Sequence, residues 1–363
     1  MSTLTFEPDQ LMTVETCKAV EYFQSVHDAS VSAARGAGGF VERSYAIGGY
    51  TIRLSFAGPA LVSSLTRALG HLETREASEP ALTVCIWDSA STGQRMLPPP
   101  WGADDCLARG VIQGYNDERV YTSFQHGSGA VNMLDAERNL GIFWVPAADD
   151  LVYWEKGAPL RTILHWWFSN NNRQLVHGAA IGKGTRGVLV GGKGGSGKST
   201  TALSCLGSEL SYAGDDYSLL GFDSERTVYS LYNSAKLNRD HLSRFSHLQS
   251  KISNPDRPNE EKALLFVSEH YPASVTNEFT VSAILLPRVT GEPETRLRRA
   301  SAAKALTSLA PSTIFQLPRA GNQAFEFLSR FVRELPCYDL ELGTNISEIP
   351  LVIEKLLEEF PGR

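Results

Sequence analysis

Gly187-Val188-Leu189-Val190 runs through Gly191 into Gly192-Lys193-Gly194-Gly195-Ser196-Gly197-Lys198-Ser199, followed by Thr200-Thr201-Ala202-Leu203. A short apolar run, a glycine-rich loop and a segment with Ala202, Leu203 and Leu206 on one face predict strand, loop and helix, with Gly207 as the helix stop. The loop fits G-x-x-x-x-G-K-[ST], the Walker A pattern, at every fixed position. Glycines let successive backbone N–H groups turn inward around phosphate oxygens without Cβ clashes. Lys198 is placed to reach the β- and γ-phosphates, the Ser199 hydroxyl to ligate Mg²⁺, and Thr200 to extend the cradle. A chance match somewhere in the chain has odds of roughly one in a hundred. Nucleoside triphosphate binding is the expectation.

Outward from the loop, Asp215-Asp216 follows Ser211-Tyr212-Ala213-Gly214, and Asp216 lies seventeen residues after Ser199. A helix and a return strand use about that length, so the acidic pair is expected beside the loop. One carboxylate there suits Mg²⁺, which assigns Asp215 and Ser199 to the metal; the other, Asp216, suits the proton of an attacking hydroxyl. Position carries this reading, because Asp104-Asp105 and Asp149-Asp150 also occur. Upstream, Leu175–Ile181 reads as a buried strand holding His177, which is either a satisfied core histidine or a group tuning the acidic pair. His126-Gly127 repeats the dipeptide.

The order strand, glycine loop, helix, strand is an α/β signature. Further strands are expected at Ser218–Phe222, Val228–Leu231 and Val281–Leu286. Helices are expected at Pro159–Phe168, His241–Gln249, Ala302–Leu309, Ala324–Glu334 and Pro350–Glu359. Before residue 150 the texture is α+β. Tyr50–Leu54 and Leu82–Trp87 read as strands around a helix at Leu61–Leu72. Pro98-Pro99-Pro100 reads as a loop, and Val120–Phe124 with Leu140–Val145 as an antiparallel pair. A boundary near 155 divides the chain into 1–155 and 156–363.

His177-Gly178, the loop through Lys198-Ser199 and Asp215-Asp216 together resemble, in order and spacing, the catalytic core of HPr kinase/phosphorylase. The resemblance covers about residues 160–225. It implies a carboxy-terminal P-loop kinase domain of that type, with a mixed sheet, behind a smaller α+β domain. It further implies an ATP- and Mg²⁺-dependent serine kinase in which Asp216 accepts the proton, His177 is the active-site histidine and Ser199 ligates Mg²⁺. Thr200 stands where the family carries an acidic residue, and no clean E-x-R-G-like signature follows. The chain looks more like the diverse HPr-kinase-like kinases of peptide-modification gene clusters, whose acceptors include seryl groups of peptides.

Two weaker candidates remain. Lys236, just past the strand-like start of Val228–Leu237, either meets a phosphate or acceptor or is an exposed surface lysine. Arg288 opens a stretch to residue 304 with five basic residues against Glu292 and Glu294. It neutralises transferring charge, binds an acidic peptide or lies at a solvated helix entry.

Composition bounds the rest. In 363 residues, 42% are hydrophobic, so a sizeable core is affordable by composition, and the net charge of −6 argues against nucleic acid or an anionic membrane as partner. Five dispersed cysteines suggest reduced thiols rather than a disulfide frame or zinc site. The polar start and short apolar runs read as a cytoplasmic protein. The expectation is γ-phosphoryl transfer to a hydroxyl of a peptide, protein or small metabolite, with the amino-terminal part recognising the acceptor or mediating homo-oligomer assembly. A nucleotide-sensing module without transfer is the alternative from another class.

Overall fold

The computed structural model describes residues 8–76, 78–223, 225–256 and 261–360, with side chains from Lys18 onward. It is a mixed α/β structure built on two large sheets. The first contains β1 (Phe40–Ile47), β2 (Tyr50–Ala57), β3 (Glu73–Thr74), β4 (Leu82–Asp88), β5 (Val120–Gln125), β6 (Ala130–Asp135) and β7 (Leu140–Val145) in the order β3-β1-β2-β4-β7-β6-β5. The β1–β2 hairpin turns at Gly48-Gly49, both at positive φ (57° and 86°), the conformation a two-residue hairpin turn demands. Val120–Phe124 and Leu140–Val145 are strands, but they are not partners. Ala130–Asp135 forms β6 between them and pairs antiparallel with both. Its Ala130, Val131, Met133 and Leu134 are buried, and that apolar content outweighs the polar Asn132 and Asp135.

Both faces of this sheet are covered, which is why β4 reads as a nearly continuous apolar run rather than an alternating one. On one side the helix Pro8–Gly36 packs Phe23, Val26 and Ala33 against Trp87, Met133 and Ile142. On the other, Ile163, Trp166 and Phe168 of the helix Arg161–Asn170 meet Tyr45, Leu54 and Val84. Each large side chain so buried contributes about 1.5–3 kcal/mol of hydrophobic stabilisation. The same apolar cluster continues into Leu219, Tyr229, Leu231 and Phe266. Residues on both sides of position 155 therefore share one core.

The second sheet uses β8 (Arg173–Val176), β9 (Gly178–Lys183), β10 (Arg186–Gly191), β11 (Ser211–Gly214), β12 (Ser218–Phe222) and β13 (Arg226–Tyr229). A separate two-stranded ribbon follows, β14 (Ser234–Leu237) with β15 (Ala263–Phe266). The twelve-residue β16 (Glu278–Val289) then returns to the large sheet, joined by β17 (Arg296–Ala300) and β18 (Cys337–Leu342). The order is β11-β9-β10-β16-β13-β12-β8, with β18 added on the later half of β16 and β17 on β18. β16 is parallel to β10 and to β18; the other pairs are antiparallel.

Leu175–Ile181 is not one strand. The chain breaks at His177: β8 pairs with β12, whereas β9 pairs with β10 and β11. His177 is thereby a corner residue. His241–Gln249 lies in a 3₁₀ segment, Arg239–Lys251, kinked at Phe245, rather than in an α-helix. Only Phe245 and Leu248 are buried there, too narrow an apolar stripe to hold a regular helix against the core. The later helices run Ala302–Ile314, Gly321–Val332 and Glu348–Glu358. No helix among the described residues is long and apolar enough to cross a membrane.

Candidate active site

Strand register brings the candidate groups to one edge of the second sheet. Gly191 at the end of β10 pairs with Gly178 at the start of β9, and Gly214 at the end of β11 pairs with Ala180. The glycine loop, His177 and Asp215-Asp216 all leave the sheet at that edge. The loop then enters the helix Lys198–Ser204, whose Ala202 and Leu203 pack with Ile349 and Ile353. Gly197 has φ 111°, and a Cβ there would meet Leu342 Cδ1, so this position excludes a side chain. Lys198 is buried, and its Nζ donates to the carbonyls of Gly192 (2.7 Å) and Lys193 (3.3 Å). Burial lowers its pKa against the opposing pull of Asp215 and Asp216.

Asp216 is held at both oxygens. Lys236 Nζ donates to Oδ2 at 2.7 Å, and His177 Nε2 lies 3.1 Å from Oδ1. Lys236 is therefore no surface lysine: it lies in β14 with a side chain only 7% exposed, against 25% for Asp216. A chain of bonds behind His177 fixes its tautomer. Arg161 Nη1 donates to Tyr217 Oη (2.8 Å), and Tyr217 Oη donates to Gln316 Oε1 (2.7 Å). That leaves the Gln316 amide nitrogen, a pure donor, on His177 Nδ1 at 3.1 Å. His177 then carries its proton on Nε2 and donates it to Asp216.

The two adjacent carboxyls are driven apart. Burial alone would raise Asp216, but Lys236 and His177 outweigh it and hold the group well below the usual carboxylate range. Asp215 is fully buried; burial and the Asp216 charge push it up to about 6. Its Oδ2 accepts from the Lys236 N–H (3.0 Å), while Oδ1 is buried without a hydrogen-bond partner. The Ser199 hydroxyl faces this carboxyl without closing a bond to Oδ1. Ser196 Oγ, inside the loop, is likewise buried and unpartnered. Buried oxygens left open like this need a partner, and a hydrated Mg²⁺ on a triphosphate suits them, since such an ion takes only one or two protein ligands. No cluster of three or more His, Cys, Asp or Glu side chains able to hold a metal occurs among the described residues. Burial also lowers the His177 pKa despite Asp216, which keeps the imidazole neutral near pH 7.

Arg288 emerges at the same sheet edge, but its Nη2 pairs with Glu341 Oε1 at 2.6 Å, and Arg298 holds the other oxygen. No contact joins it to the acidic pair among the described residues. Tyr217, Gln316 and Arg161 were not legible as site residues. Tyr217 adjoins Asp216 and carried a signal of proximity; Gln316, a hundred residues away, carried none. Buried Glu155, whose Oε1 has no hydrogen bond, faces Arg161 and Lys236 behind the network. Among the described cysteines, Cys85, Cys106, Cys205 and Cys337 are free thiols; the Cys17 side chain lies outside the described residues.

No family model matches the chain, and no curated protein matches it. The chain is similar to the solved structure of the Hpr(Ser) kinase/phosphatase from Coxiella burnetii, at 12% identity and a TM-score of 0.28. That match covers 51% of this chain and 95% of the other. It is a distant structural relation.

Proposed function

We propose that the protein is an ATP- and Mg²⁺-dependent kinase that transfers the γ-phosphoryl group to a hydroxyl, with a serine of a peptide or protein as acceptor. The observation that carries this reading is Asp216, an ionised carboxylate clamped between Lys236 and His177 at the sheet edge from which the glycine loop departs. A carboxylate fixed in this way and still one-quarter exposed suits a proton acceptor better than a wholly buried ion pair would.

The triphosphate with Mg²⁺ supplies the transferable group and neutralises its charge. Gly192 to Thr200 hold the phosphates, and Lys198 exchanges loop carbonyls for phosphate oxygens. Ser199 and Asp215 would hold the cation. Asp216 accepts a hydrogen bond from the acceptor hydroxyl and then its proton. Its depressed pKa makes it a weak base, which suffices because a metaphosphate-like transfer needs little nucleophilic push. Lys236 and His177 keep it ionised and aimed, so positioning supplies most of the acceleration.

Asp216→Asn tests the reading. Transfer of labelled γ-phosphate is expected to fall by about 10²–10⁴-fold with nucleotide affinity unchanged within about twofold. Unaltered transfer would refute the assignment.

A further inference from the structure

Two cavities open on the amino-terminal side of the site. The first, of about 600 Å³, is walled by Met96, Leu97, Trp101, Val131 and Trp144. The second, of about 630 Å³, reaches Arg161 and Gln316. Cys106, Phe124 and His126 line both, so the two adjoin. The second ends on the residues that orient His177, with Asp216 across that ring on Nε2: Gln316 touches Nδ1, and Arg161 reaches it through Tyr217.

Charge separates this space from the rest of an acidic chain. Its lining includes Arg95 and Arg109 and contains no Asp or Glu. Neither arginine has an ion pair among the described residues; Arg109 Nε bonds the Phe315 carbonyl. The cavity near Tyr153, by contrast, sets Asp149, Asp150, Asp256 and Glu261 against Arg67 and Lys156. Together the adjoining cavities exceed an ordinary small-molecule pocket of about 300–1,000 Å³. A small metabolite needs only the end at Gln316 and leaves the apolar end unexplained.

We infer that the adjoining cavities are an acceptor groove for an extended acidic peptide segment. An apolar side chain seats among Met96, Trp101 and Trp144, and the backbone passes Arg109 and Gln316 toward Asp216. The inference rests on the phosphotransfer reading of that site. With each cavity roughly 10 Å across and ~3.4 Å per extended residue, the anchor lies about four to six residues from the hydroxyl.

The test pans a randomised twelve-residue phage-displayed peptide library on the full-length protein. Enriched peptides are then resynthesised for affinity and transfer measurements. Acidic sequences with one Trp, Phe or Leu are expected to be enriched. They should bind at least tenfold more weakly to Ala103→Trp, which narrows the apolar mouth, and to Arg95→Glu, with thermal midpoints of both variants checked against wild type. No enrichment, a basic or purely polar consensus, or affinity indifferent to both variants would overturn the groove. Peptides that bind in this way but are never phosphorylated would sink the kinase reading and leave the groove standing. Transfer to peptides whose binding ignores both variants would do the reverse.

Discussion

The two halves of the molecule contain the same dipeptides and put them to different uses. Asp104-Asp105 and Asp149-Asp150 in the first half match Asp215-Asp216 in the second, and His126-Gly127 matches His177-Gly178. Asp105 caps a turn by accepting from the Gly102 N–H, and Asp149-Asp150 sits in an exposed 3₁₀ turn. Buried Asp135 is saturated by the N–H groups of Glu137 and Arg138 and by the Arg119 guanidinium. Asp216 instead receives one imidazole and one ammonium and still reaches solvent. A carboxylate whose partners are its own turn holds that turn; one whose partners arrive from separate strands has been aimed.

That contrast can be broken most forcefully at Lys236. Lys236→Met removes the largest opposition to burial at Asp216, so its pKa rises. Transfer is expected to drop by about 10²–10³-fold, with the acid limb of the kcat profile moving to higher pH. Asp149→Asn, measured in the same assay, should leave kcat unchanged.

Asp215 sharpens the comparison through pH. Its folded pKa of about 6 lies above the ordinary 3.8. Mg²⁺-dependent nucleotide affinity, followed by titration calorimetry, should therefore weaken as the pH falls through about 6, approaching tenfold per unit below it. Between 3.8 and 6 the folded protein keeps a proton that the unfolded chain has lost. The buried charge thus destabilises the fold above pH 6, and that penalty fades as the pH falls. Asp215→Asn should raise the thermal midpoint above pH 6 while abolishing the pH dependence of metal binding.

Gln316→Glu exchanges a donor for a carboxylate beside His177 Nδ1. The imidazolium gains a partner, so the His177 pKa should rise from its depressed value in an NMR titration. Transfer near neutral pH should fall by roughly tenfold as the tautomer is lost. Asp135→Ala is the opposite control. It orphans two turn amides and leaves Arg119 only its pair with Glu137, costing about 1–3 kcal/mol in denaturant unfolding, with kcat per folded molecule unaltered.

How much was legible follows the range of the interaction. The glycine loop is local: a turn of backbone followed by one helical segment, written in eight consecutive residues. The acidic pair needed one return strand and was placed by counting. The corner at His177 escaped because apolar residues continue through it; what splits β8 from β9 is pairing with β12 on one side and β10 on the other. β6 escaped because Asn132 and Asp135 dilute a strand whose burial comes from its neighbours.

The order of residues alone determined a glycine-rich loop leading into a helix, a pair of acids one strand later and an α/β texture around them. Those depend on φ/ψ freedom, side-chain period and chain length, which are properties of neighbours in sequence. Tertiary structure alone decided that Lys236 is buried on Asp216, that Gln316 sets the His177 tautomer and that the twin aspartates titrate in opposite directions. Burial and charge proximity are set by parts of the chain as far as 139 residues apart, and no local pattern encodes the dielectric they create.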